Sequence, residues 1–174
     1  MRILHSAARF TSNKHDLLVI YKSFIRSKLE QSASVWHNSL TKQNEIDLER
    51  VQKSALKVIL KEKYQDYDNA LKLMDLESLF DRRESICLKF AKKALRLEHF
   101  KKMFPIQKHL HGMDRRNKRK YIENNASTER YKKSAIPSMQ RLLNKYQRDV
   151  NGILKSLLPV SNNLYHYDSF VEKF

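Results

Sequence analysis

Basic side chains recur at helical spacing in the middle of the chain, at Arg50, Lys53, Lys57 and Lys61. On a helix advancing about 100° per residue these four share one face. A solvated helical face usually mixes charge signs, whereas this row carries one. The ordinary reading is a solvated surface; the chemical reading is a line of ammonium and guanidinium groups matched to a phosphate backbone. A second one-sign face follows at Arg82, Lys89 and Lys93, flanked by Lys92 and Arg96, and Lys22 and Arg26 lie on the outward side of an earlier helix. Lys22, Arg26, Arg50, Lys53, Lys57, Lys61, Arg82, Lys89 and Lys93 are therefore the candidate nucleic-acid-binding residues.

No constellation for covalent or hydrolytic catalysis accompanies them. There is no Gly-rich phosphate loop, no Gly-x-Ser-x-Gly and no His-Glu-x-x-His. Asp66 and Asp68 stand one residue apart in a polar connector, where capping and turn roles outweigh metal ligation. His37 has no Cys or second His at ligand spacing and reads as a polar corner residue. Cys87 falls on an apolar stripe and reads as a small core residue. Being the sole cysteine, it excludes an internal disulfide and suggests a reducing compartment.

The bulk numbers agree with this emphasis. The 174 residues carry 35 Lys and Arg against 19 acids, a formal charge of +16. Such an excess repels itself and is ordinarily explained by a polyanionic partner. Only 2 Gly and 3 Pro are present, which disfavours tight-turn β architectures and favours long helices. No apolar run approaches the ~20 residues that span a bilayer, and the opening residues show no secretory signal. The expected location is nuclear or cytoplasmic.

The elements that must position these residues are helical, and the expected fold class is all-α. Residues 1–100 are expected to form a small bundle. Its first part is a helical hairpin. One helix runs from about Lys14 to Val35, with Leu17, Leu18, Tyr21, Phe24, Ile25, Leu29 and Ser32 inward. A corner at Trp36 follows, then a helix capped by Thr41 that buries Leu48, Val51, Ala55, Val58 and Ile59. Trp36 reads as a plug at the corner rather than a base-stacking platform. Lys28 falls inside the apolar arc, either snorkelling to solvent or held against a ligand phosphate. A long helix from Leu79 to about Phe100, capped by Ser78, completes the bundle. Arg83 lies in its apolar stripe and is expected to form a structural salt bridge with an acid on the hairpin, or to touch phosphate. Residues 101–136 read as a basic, partly disordered linker, because apolar residues there are sparse and aperiodic. An amphipathic helix is expected over 137–158, and 159–174 form a tail.

Several segments together resemble a known family. Ile25-Arg-Ser-Lys-Leu-Glu30, Val35-Trp36 and Leu48-Glu-Arg-Val-Gln52 resemble the segment after the palm in reverse transcriptases of non-LTR (LINE-type) retrotransposons. Leu76 to Lys93 and Thr128 to Asn144 look like the C-terminal regions of the same elements, and the pieces stand in the same order. Gln31 departs from the Tyr usual in that family. The resemblance implies a thumb-like helical region that grips an RNA or RNA–DNA template–primer by its backbone. It implies a truncated C-terminal fragment of an RNA-directed DNA polymerase. The catalytic Tyr-x-Asp-Asp palm is absent from this sequence. No cofactor is then expected on this chain, although the parent polymerase would use Mg2+, and the missing polymerase domains are possible partners. A different expectation is a basic interaction module that docks on another protein through the last amphipathic helix; a weaker one is a binder of anionic membranes.

Overall fold

A computed structural model of the chain describes residues 1–106 and 120–157. The described part is all-helical, with a single isolated bridge between Ile106 and Tyr121 in place of any sheet. In chain order the elements begin with α1 (Arg2–Phe10) and α2 (Lys14–Ile20). Asn13 opens α2, its side chain accepting the His15 amide at 3.0 Å.

The helix that follows differs from the expected continuous one. Tyr21–Arg26 forms a π-helical turn before α3 (Ser27–Glu30), and the chain then breaks at Ser32, whose φ is 55°. A π turn holds more residues than an α turn, so the positions after it rotate out of the register that 3.6 residues per turn would give. Tyr21 is fully buried, but Phe24, expected beside it, is 61% exposed. The break at Ser32 separates α4 (Ala33–Trp36) and a 3-10 turn (His37–Ser39) as the corner itself.

The second arm, α5 (Lys42–Leu60), starts where expected: the Asn44 amide donates to Thr41 Oγ1 at 3.2 Å. Ala55, Leu56, Ile59 and Leu60 are buried on it. With Leu4, Leu17 and Tyr21, the residues Ala55 and Ile59 make one core cluster. Leu56 and Leu60 make another with Ala70 of α6 (Tyr67–Leu73). Asp66 caps α6 by accepting the Asn69 amide at 2.7 Å, so its carboxylate has the capping role its position suggested.

The periodicity of α5 does not mark Gln52 as buried, yet it is 1% exposed. Its Oε1 accepts from the Tyr21 hydroxyl at 2.6 Å, and its Nε2 donates to the Glu77 carbonyl at 2.9 Å and to Tyr67 Oη at 3.1 Å. Tyr67 in turn donates to Glu49, which also accepts the Leu79 amide at 3.2 Å. One polar chain thus ties the π turn, α5, α6 and the start of α7 (Leu79–Leu95). Burial raises the Tyr21 and Tyr67 phenols well above their ordinary value, so both stay neutral donors.

α7 opens with a reciprocal cap, the Asp81 amide donating to Ser78 Oγ and Ser78 Oγ donating to Asp81. Cys87 is buried on it. Its Sγ lies 3.7 Å from the Ala33 carbonyl, and burial pushes the thiol up to about 11, which fits the core role expected of it. The short α8 (Glu98–Lys101) ends the bundle region.

The expectation of a loosely folded linker over 101–136 needs correction where the structure describes it. Phe104 and Tyr121 are buried in one cluster with Ala91, Ala94, Met139 and Leu143. Two side-chain amides hold this segment in place of a hydrophobic repeat. Asn144 accepts the Tyr121 amide and donates to the Tyr121 carbonyl, both at 3.0 Å. Gln140 accepts the Asn124 amide at 2.9 Å and donates to the Met103 carbonyl at 2.8 Å. A one-turn α9 (Glu129–Lys132) leads into α10 (Ala135–Leu157). α10 packs along α7 and the corner, so the face carrying Met139 and Leu143 is covered within the chain. The basic run at Arg115–Lys120 falls mostly outside the described residues, as does the tail over 159–174.

Candidate nucleic-acid interface

The candidate cations divide by what surrounds them. Arg26 and Arg82 are not free. Both meet Glu30, Arg26 at 3.5 Å and Arg82 in closer contact. The side chains of Arg26 and Glu30 are 15% and 14% exposed. These two guanidiniums therefore brace α3 against the first turn of α7, which corrects their reading as outward phosphate contacts. Chain reversal at the corner brings Glu30 to α7, a juxtaposition that helical spacing alone does not encode.

The α5 row is exposed as expected. Arg50 is tied to Asp47 at 2.8 Å, so its charge is balanced locally. Lys53 and Lys57 have no ion pair among the described residues. Each lies over a tyrosine ring of the next segment, Lys53 Nζ 4.8 Å from the centre of Tyr67 and Lys57 Nζ 5.5 Å from that of Tyr64. Such a contact steadies the stem while leaving the ammonium wet. Lys61 continues the line just past the helix, in a 3-10 turn (Lys61–Lys63), with a φ of 50°. Tyr64 and Tyr67 flank Asp66 in the polar connector and are not among the candidate residues. The signal that could have found them is their position, one turn past a basic helix.

Lys89 and Lys93 are exposed on α7 without an ion pair among the described residues, while their neighbour Lys92 sits 3.6 Å over the Tyr146 ring of α10. Lys22 is half-buried on the π turn. No described contact joins these three to the α5 row, so the nine candidates form a row and scattered outliers rather than one patch.

Arg83 departs from expectation in a different way. It is fully buried, and no salt bridge forms among the described residues. Its Nε donates to His37 Nδ1 at 3.4 Å and its guanidinium lies 5.8 Å over the Trp36 ring, but neither terminal amino group has a hydrogen-bond partner among the described residues. The hairpin acid best placed to pair with it, Glu49, is already engaged by Tyr67 and the Leu79 amide. Burial holds the guanidinium below its usual pKa, with the charges of Glu49 and Glu45 acting the other way. Burial also lowers His37, and Arg83 lowers it further, against Glu45 and Glu84. His37 thus stays neutral in the folded protein at a pH where it is protonated unfolded. Its stabilising contribution is complete above its ordinary 6.5 and is lost as pH falls through the lower folded value. Thermal midpoints are expected to be level above about 6.5 and to drop as pH falls below it. Arg83→Met, which removes both the orphaned donors and the charge beside His37, should raise the midpoint by the equivalent of about 1–2 kcal/mol and flatten the acid limb. A lower midpoint, or an unchanged limb, would contradict this account.

Among the described residues no group of three or more His, Cys, Asp or Glu could hold a metal ion. No helix among them is long and apolar enough to cross a membrane. Fold and surface define a small all-helical domain with a lysine row backed by tyrosines along one outer edge. No protein-family model, no curated protein and no solved structure matches the chain.

Proposed function

We propose that the chain is a helical clamp for a nucleic-acid backbone, the thumb-like C-terminal part of a LINE-type reverse transcriptase. The observation that carries the binding role is the exposed row of Lys53 and Lys57 on α5 with Lys61 just past its end, without ion pairs among the described residues. The resemblance of the quoted motifs supplies the polymerase context. On this reading the row contacts phosphates of an RNA or RNA–DNA duplex and reads no sequence. Polymerisation, with its Mg2+, belongs to catalytic residues outside this sequence. The reading of a protein-docking module has less support, because the Met139–Leu143 face of α10 is covered within the chain.

Titrating an RNA–DNA hybrid at rising salt tests the proposal. Affinity should fall linearly on logarithmic axes, by a power of about 0.7–0.9 per phosphate neutralised. Absence of binding at low salt would remove the proposal. The same purified protein, given a primed RNA template, nucleotides and Mg2+, is expected to incorporate nothing; measurable extension would overturn the non-catalytic assignment.

A further inference from the structure

A cleft of about 460 Å³ opens where α3 and the corner face the first half of α5. Its size falls in the range that takes a small ligand. Leu29, Leu48 and Val51 line its floor and walls, with the Trp36 indole at the corner. The indole is held in place: Nε1 donates to the Gln31 carbonyl at 2.7 Å, and buried Arg83 lies over the ring from within the bundle. Two polar groups of complementary kinds join this lining. Lys28 is exposed and has no ion pair among the described residues. Asn44 contributes a side-chain amide able both to donate and to accept, without a partner among the described residues, while its backbone N–H donates to Thr41. The one carboxylate there, Asp47, is already met by Arg50 at 2.8 Å and Gln43 at 3.0 Å, so its charge is balanced.

We infer that this cleft takes one unpaired nucleobase of a bound single strand, packed on Trp36. On this assignment Asn44 meets the base edge and Lys28 the adjacent phosphate. The inference rests on the nucleic-acid reading and adds a substrate class to it: a strand with an accessible base, as at an overhang. Apolar walls alone would accept an aliphatic side chain equally well. A fixed aromatic ring, an open amide and an unpaired ammonium together match the face of a base, its edge and the adjacent phosphate. A chain charge of +16 further favours an anionic occupant over a neutral one.

Trp36 is the only tryptophan, so its emission reports on the cleft directly. The full chain would be titrated at low salt with a short single-stranded oligouridine and, separately, with a blunt RNA–DNA hybrid. The single strand is expected to quench Trp36 emission and the blunt hybrid to bind without quenching. Lys28→Gln, a change at an exposed position, should weaken the single strand several-fold and leave the hybrid unchanged. Trp36→Leu should weaken the single strand by about tenfold, within the range base–aromatic stacking supplies. Binding of both without quenching, with Lys28→Gln behaving as the parent, would overturn the cleft assignment and leave the backbone reading standing. Equal quenching by both would also overturn it. Failure of the single strand alone to bind would overturn the cleft assignment and leave the backbone reading standing; failure of both nucleic acids to bind would remove both readings together.

Discussion

Gln52→Leu is expected to destabilise the fold by about 3 kcal/mol, although it places an apolar side chain of similar size in a buried site. The reason lies in what the amide serves. Tyr21 is fully buried and its hydroxyl donates to Gln52 Oε1; the Glu77 carbonyl accepts from Gln52 Nε2. Leucine leaves both without those partners: the buried Tyr21 hydroxyl alone costs about 1–3 kcal/mol as an orphan, and the Glu77 carbonyl, on an exposed residue, loses less. Tyr67 loses less, because its hydroxyl still donates to Glu49. Added apolar burial offsets only part of this. Urea unfolding followed by circular dichroism would measure it as a lower midpoint at unchanged slope. A cost below about 0.5 kcal/mol, the scale of an ordinary surface change such as Ser54→Ala, would mean the polar chain is not a structural tie.

Gln52 also illustrates what a sequence conceals. Its partners lie 31, 25 and 15 residues away, at Tyr21, Glu77 and Tyr67. A pattern method scores an amide in an amphipathic helix as solvent-facing, because nothing local says otherwise. The caps at Thr41, Asp66 and Ser78 were legible for the opposite reason: each is satisfied within three residues of itself. Phe24 was misplaced because the spacing rule assumes an α turn where the chain forms a π turn. Phe104 and Tyr121 were missed because their burial is organised by Gln140 and Asn144, not by an apolar repeat. The lysine row on α5 was readable as a face, but its weighting was not. Sequence could not tell that Asp47 takes Arg50, or that Glu30 takes Arg26 and Arg82.

That weighting gives the second large effect a specific shape. Reversing Arg50, Lys53 and Lys57 to Glu is expected to lower affinity for an RNA–DNA hybrid on the order of 100-fold at low salt and to reduce the salt slope by about two. Three contacts removed equally would reduce it by nearly three. The smaller figure follows because Arg50 already spends its charge on Asp47, whereas Lys53 and Lys57 only lean on tyrosine rings. Single reversals should therefore rank Lys53→Glu and Lys57→Glu above Arg50→Glu. Folding should survive, since all three side chains are exposed and a surface cation–ring contact contributes only about 0.5–1 kcal/mol. Lys89→Glu, on α7 and away from the row, separates a local interface from a general effect of net charge. Equal losses from Lys89→Glu and Lys53→Glu would mean that the +16 charge acts as a diffuse field. No loss from any reversal would mean that phosphate is not what the lysine row holds.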